Sequence, residues 1–301
     1  MTALASDFFK GKSLVVFGAG YVGGAVAAAA GALGARVTAL TRNPAKVASL
    51  AAEGCDVVID DLASESWHSK LKTRADFVLN CVSSGGGGIE GYRQSYVEGM
   101  RSILTWAAKR GPMGTMIYTS STSVYPQSGG ARVDETAPIA EAVGTPAILF
   151  EAENLLRAAP AAACARWFIL RLAGIYGPRR HHLLDQLRAG ETKIGGRGEH
   201  RLNLIHRDDI VTAILAAFAA PEKIANETFN VADDGAVSKA DLVAWLAQKI
   251  DCSAPRFTGE PTAGRRAVTP DRVIANDKIK AMLGWNPRYG DFRAGYAAML
   301  E

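Results

Sequence analysis

Three glycines carry the first chemical signal in the chain. Gly18, Gly20 and Gly23 stand at the spacing G-x-G-x-x-G within SLVVFGAGYVGGAVAAAA, residues 13–30. Leu14 to Phe17 is a short apolar run of strand type, and the alanine-rich segment after the glycines consists of good helix formers. Strand, tight turn and helix in that order make the phosphate-binding turn of a dinucleotide fold. Gly18 permits the turn, Gly20 lets the backbone approach a pyrophosphate, and Gly23 lets helix and strand pack closely. The free N–H groups and the positive end of the helix then hold the phosphates, with Tyr21 and Val22 among the contacts.

The element that must position this turn is a βαβ unit, and a rival has to be set against it. No charge occurs between Lys12 and Arg36, a stretch long enough to cross a membrane, and Gly20 with Gly24 forms a G-x-x-x-G. The stretch is mostly alanine and glycine, however, and a second strand-like run, Arg36 to Arg42, follows it. That succession fits βαβ and argues against a membrane span or a signal peptide. The second strand should end near Thr41 and Arg42. An acid about there would bind the ribose hydroxyls of NAD. None occurs between Lys12 and Glu53, and Arg42 stands in its place. A guanidinium suits a 2′-phosphate, so the expected cofactor is NADP(H), with NAD open if Arg42 is only a solvated strand-end charge.

The 301 residues suit one large domain or two intimately joined ones, and 48% apolar with 21% charged residues is ordinary for a globular chain. A net charge of +4 fits an anionic small molecule better than a nucleic acid, which calls for denser basic patches. Cys55, Cys81, Cys164 and Cys252 form no C-x-x-C pair, and free thiols point to a reducing, cytoplasmic setting. The five histidines lack zinc-type spacing; the adjacent His181 and His182 read as a loop feature.

Further strands are expected at 57–62, ending in Asp61 and Leu62, and at 76–83, ending in Cys81, Val82 and Ser83. These strand ends complete the candidate cofactor contacts. A helix should span about 92–109. A fifth strand begins at Gly114 and leads into TSSTSVYP, residues 119–126. Residues 126–145 read as a long loop. Pro146 can start a helix through Arg157, and 166–172 is another strand. Beyond it the alternation loosens. Asp208 and Asp209 precede a helix face of Ile210, Ile214 and Phe218, Phe229 to Ala232 is a short strand, and Ser238 with Asp241 resembles a capping box. The last clear helix ends near Gly284.

The ordered motifs GAGYVGG (18–24), TSSTSVYP (119–126), RLAGIYGP (171–178), NLIHRDDI (203–210), FNVAD (229–233) and LGWNP (283–287) resemble the extended short-chain dehydrogenase/reductase family, the NAD(P)-dependent epimerase/dehydratase group. The resemblance implies an α/β fold: a Rossmann-like, doubly wound parallel sheet over 1–178, to which 203–232 returns. It also implies a smaller substrate domain from 179–202 and 233–301, and pairing into a homodimer through two helices of the first domain. The family's catalytic pair is Y-x-x-x-K, in which Lys lowers the tyrosine's pKa. Here that pair is missing. Aligning Ala152-Glu153 with the family's Ala-Glu puts Thr145 and Leu149 at its positions, no Lys occurs from 110 to 192, and no tyrosine has Lys four residues on. The family's catalytic serine maps to Ser121. Thr122 and Ser123 replace the acids of dehydratases, which argues against sugar dehydration. Tyr125 is a second candidate, as a catalytic or a packing residue, and Ser121 is either catalytic or a hydroxyl satisfying the strand end.

Three functions follow: an NADP(H)-dependent oxidoreductase with a non-standard proton source, a non-catalytic NADP(H)-binding sensor, and a nucleotide-sugar epimerase. The last would draw on Arg179, Arg180, Arg265 and Arg266 as phosphate partners, if these do not merely face solvent.

Overall fold

The computed structural model describes residues 7–71, 74–84, 86–139, 142–260 and 270–300. Its centre is a seven-stranded parallel sheet. The strands are β1 (Ser13–Phe17), β2 (Arg36–Thr41), β3 (Asp56–Ile59), β4 (Phe77–Asn80), β5 (Met113–Ser121), β6 (Cys164–Leu172) and β7 (Glu227–Val231). Their spatial order, β7-β6-β5-β4-β1-β2-β3, reverses direction between β1 and β4. In an open α/β sheet a ligand binds at that reversal, beyond the carboxyl ends of the strands. The central strands are near-continuous apolar runs because helices cover both faces. Helix α1 (Tyr21–Ala32) and a later helix, Arg207–Phe218, pack together on one face, whereas α2 (Gly99–Arg110) and α3 (Thr145–Arg157) cover the other.

The expected doubly wound Rossmann architecture is therefore the observed one, with local differences. β3 stops at Ile59 rather than at residue 62. The Asp60 carboxylate accepts from the Asp61 N–H and from Ser64 and Ser66, which turns the chain out of the sheet. β4 likewise ends at Asn80, so Cys81, Val82 and Ser83 lie beyond the strand, over its carboxyl end. The stretch read as a loop after residue 126 holds a strand, Ala131–Val133, paired with Arg272–Ile274 from far along the chain. A final helix, Phe292–Leu300, follows the one ending before Gly284; Phe292, Tyr296, Met299 and Leu300 recur at helical spacing and pack into a third apolar cluster. The Ser238 hydroxyl caps the helix Lys239–Lys249 by accepting from the Asp241 N–H at 3.0 Å. Arg265 and Arg266, named above as phosphate partners, lie outside the described residues.

The helical run over 88–110 is not uniform. Its middle, Arg93–Glu98, is a π-turn between Gly88–Tyr92 and α2. Such single-turn insertions re-aim the side chains they carry and are frequent at functional sites.

Candidate active site

At the carboxyl end of β1 the glycines have separable reasons. Gly18 adopts φ +85°, and a Cβ there would come within 2.6 Å of the Val82 Cα. A Cβ on Gly23 would overlap the Gly18 carbonyl oxygen. These two glycines are required by the protein's own packing. Gly20 is not: a Cβ there would meet nothing closer than the Gly18 oxygen at 3.8 Å. The open space lies before the N-terminus of α1, which carries no side-chain cap and no acid in its first turn. Backbone N–H groups at Tyr21 and Val22 and the helix dipole are thus turned toward it, and a pyrophosphate fits there.

The ends of β2 and β3 meet beside this turn. Arg42 Nη1 lies 3.9 Å from Asp61 Oδ2, with both side chains about half exposed. Thr41 is buried, its Oγ1 accepting from the Asn43 N–H at 3.1 Å, and the Leu62 carbonyl accepts from Trp67 Nε1 at 3.0 Å. A second cation, outside the set expected from sequence, joins them: Lys46 Nζ donates to the Ala19 carbonyl at 3.4 Å. The only local cue for it is a positive charge in the short loop after Arg42. On the other side, Tyr21 donates to the Pro178 carbonyl at 3.0 Å, with the Arg180 and Arg207 guanidiniums over its ring. Burial raises the Tyr21 pKa, against the pull of Arg207, Arg180 and Arg179. The turn carrying Arg179 and Arg180 is closed by mutual backbone bonds between Gly177 and Arg180, which fixes both arginines near the phosphate turn.

Past β4, Cys81 and Val82 lie under Gly18, while Ser83 is exposed. Burial pushes the Cys81 thiol up, so it is no thiolate. Ser121 is half-buried at the end of β5, and its Oγ accepts from the Ser123 N–H at 3.1 Å. That bond leaves the hydroxyl proton free to donate.

Tyr125 lies elsewhere. Its side chain is 1% exposed, and its hydroxyl donates to Asn230 Oδ1 at 2.8 Å and accepts from Arg171 Nη1 at 2.7 Å. Arg171 in turn grips Glu153, which is wholly buried. Motif residues from four segments, Tyr125, Glu153, Arg171 and Asn230, therefore form one buried network in the wall behind the site. The hydroxyl points into that wall, not into the crevice, and of the two readings of Tyr125 the packing role is the one its geometry fits.

On α3, Thr145 begins the helix and Leu149 packs into the core. Neither can exchange a proton at neutral pH. The facing helical segment offers a titratable group instead. Tyr96, on the π-turn, touches hydrophobic clusters on both sheet faces. Burial pushes its pKa up to about 12. Its four-residue spacing from Tyr92 was legible; the π-turn that aims it was not.

Among the described residues no cluster of His, Cys, Asp and Glu could hold a metal ion, and no helix is long and apolar enough to cross a membrane. His181 pairs with Asp185 at 2.8 Å. A hollow of about 680 Å³ lies beside the start of β7, not at the carboxyl ends of the strands. Its cations are already paired, Arg132 with Asp277, Arg157 with Glu153 and Lys278 with Glu227.

The chain is similar to proteins sharing this architecture. It is 27% identical over 286 residues to Protein YeeZ of Escherichia coli (strain K12), covering 93% of this chain and 97% of that protein. It is 26% identical over 212 residues to a 3-diazoavenalumate denitrifying reductase of Streptomyces sp, covering 66% and 68% of the two. A UDP-glucuronic acid 4-epimerase from Bacillus cereus, solved with UDP-glucuronic acid and NAD, has the same fold. It superposes with TM-score 0.81 at 19% identity over 96% of this chain and 98% of that one. The model of the NAD dependent epimerase/dehydratase family matches residues 14–232, most of the chain and all seven strands of the sheet except the start of β1. The chain belongs to the NAD dependent epimerase/dehydratase family.

Proposed function

We propose that this protein is an NADP(H)-dependent reductase of an anionic small molecule, with Ser121 orienting the group to be reduced. The observation that carries the reading is the pairing of an uncapped, sterically open phosphate turn with a helix on which Thr145 and Leu149 stand where the family's tyrosine and lysine would. An epimerase must first remove a hydroxyl proton, which calls for a base with a pKa near neutrality. A reductase needs only a hydrogen-bond donor for the group being reduced and a source for one proton. Thr145 and Leu149 deny the first requirement and leave the second open. The bound cofactor would supply hydride. Gly20 and the start of α1 would hold its pyrophosphate, and Arg42 and Lys46 its 2′-phosphate. Arg179 and Arg180, outward-facing at the crevice mouth, would attract the substrate's negative charge. A name ending in reductase for one similar protein supports the same direction.

The test is a titration with NADPH and NADH, followed by absorbance of NADPH during incubation with carbonyl and other unsaturated acids. The reading expects tighter binding of NADPH and consumption with at least one class. Equal or tighter NADH binding sinks the cofactor assignment. Tight NADPH binding without turnover of any compound favours the non-catalytic sensor, a reading that the loss of the Tyr–Lys pair also supports.

A further inference from the structure

We infer that Tyr96 supplies the proton when the substrate is reduced, from a helix other than the one that carries the family's catalytic pair. This rests on the reading of the protein as a nicotinamide-dependent reductase. The geometry begins with the sheet. β4 and β5 are neighbours in register, Asn80 beside Tyr118, and Thr119 Oγ1 donates to the Asn80 carbonyl at 3.3 Å, so the segment after Asn80 leaves the sheet beside Thr119. Cys81 and Val82 in that segment also lie against Gly18. Tyr96 packs beside the same segment, sharing one apolar cluster with Cys81 and the other with Val82. Its ring touches the apolar clusters of both sheet faces, which puts it across the carboxyl end of the sheet rather than on one side of it. The carrier segment Arg93–Glu98 packs against α3, the helix on which Thr145 and Leu149 replace the expected pair.

Why this hydroxyl is aimed there follows from the π-turn. One extra residue within a helical turn rotates the side chains that follow relative to a regular helix. Tyr92 and Tyr96 are neighbours, with ring centroids 5.3 Å apart, so the rotation is propped by a second ring. Burial favours the neutral phenol, and no lysine occurs from residue 110 to 192 to reverse that. A neutral phenol is a proton donor and a poor acceptor. The protonated form that reduction requires is the one burial favours.

Hydride leaves C4 of the dihydronicotinamide of NADPH and forms the new C–H bond at a carbonyl carbon. The π pair of the carbonyl moves to oxygen and takes the Tyr96 hydroxyl proton. NADPH is oxidised to NADP⁺, the carbonyl is reduced to an alcohol, and the tyrosinate recovers its proton from water.

The test compares wild type with Tyr96→Phe and Tyr92→Phe. Protein labelled at the tyrosine ζ carbon gives one NMR resonance per tyrosine, and the one absent from Y96F belongs to Tyr96. The expected result is a shift of that resonance on adding NADPH, with Y96F binding NADPH within about twofold of wild type. Y96F should turn over about 100-fold more slowly, and Y92F within a few-fold of wild type. An unmoved Tyr96 resonance in a protein that binds NADPH overturns the inference alone, whatever the substrate. Undiminished turnover in Y96F does the same. Absence of NADPH binding in wild type overturns the parent reading, and this inference with it.

Discussion

Arg171 holds Glu153 through two parallel bonds, Nε to Oε1 at 3.0 Å and Nη2 to Oε2 at 2.7 Å, and the acid has no exposed surface. Arg157 adds a third contact from the helix's last turn, at 2.7 Å to Oε2. Such a pair contributes little over apolar residues of the same shape, but stranding one partner is costly. Glu153→Gln or Arg171→Met alone should lower unfolding free energy by about 3–5 kcal/mol, and Glu153→Leu with Arg171→Met by clearly less. Urea denaturation measures both. Single losses under about 1 kcal/mol would contradict the buried pairing.

Tyr125→Phe removes the hydroxyl between Arg171 and Asn230 and leaves both short of a partner. The expected cost is about 1–3 kcal/mol of stability, with NADPH affinity and turnover unchanged. A large drop in turnover at unaltered stability would return Tyr125 to the catalytic group.

The glycine turn predicts a contrast between two alanine variants. Gly23→Ala forces a Cβ into the Gly18 carbonyl and should both lower the melting temperature and abolish cofactor binding. Gly20→Ala makes only ordinary contacts, 3.8 Å from the Gly18 oxygen and 4.0 Å from Lys46 Nζ, so stability should stay within about 1 kcal/mol while NADPH affinity falls at least tenfold. Thermal melts paired with fluorescence titration separate the two. Equal destabilisation by both changes would argue that the space before α1 is not a ligand site.

Arg42→Ala and Lys46→Ala should each weaken NADPH binding about tenfold, near 1.4 kcal/mol, and leave NADH binding almost unaltered. The effect should shrink with added salt, because both cations lie near the surface. Equal losses for the two cofactors would place these side chains on something other than the 2′-phosphate.

Asp233 gives a pH signature. Burial, with help from Asp291, Asp234 and Asp209 and against a bond from the Gly235 N–H, raises its pKa to about 8. The folded state therefore prefers the neutral acid. Its stabilising contribution is complete below about pH 4, the unfolded value, and is lost as pH rises through about 8. Asp233→Asn keeps a neutral group there, so its stability relative to wild type should climb between pH 5 and pH 8.5, by a few kcal/mol at most. A pH-independent difference in urea midpoints would show that Asp233 is ionised in the fold.

Much of this was readable from residue order. The G-x-G-x-x-G spacing, the apolar runs of β1, β2, β5 and β6 and the Ser238 cap are written within a few neighbouring residues, because turns, strands and caps are satisfied locally. The loss of the Tyr–Lys pair was equally plain, since a missing lysine needs no geometry. Strand ends were less legible. Asp60 ends β3 by bonding Ser64 and Ser66, a local competition that apolar patterning does not reveal. The roles of Tyr125, Lys46 and Tyr96 were decided by tertiary structure alone. Tyr125 became a wall residue because Asn230, 105 positions away, sits on the outer strand. Lys46 reached the phosphate turn because β1 and β2 are parallel neighbours. Tyr96 came to touch the apolar clusters of both sheet faces because a π-turn re-aims it where its segment packs against α3. Local chemistry names the groups able to bind a dinucleotide; only the long-range order of the strands determines which side chains gather around it.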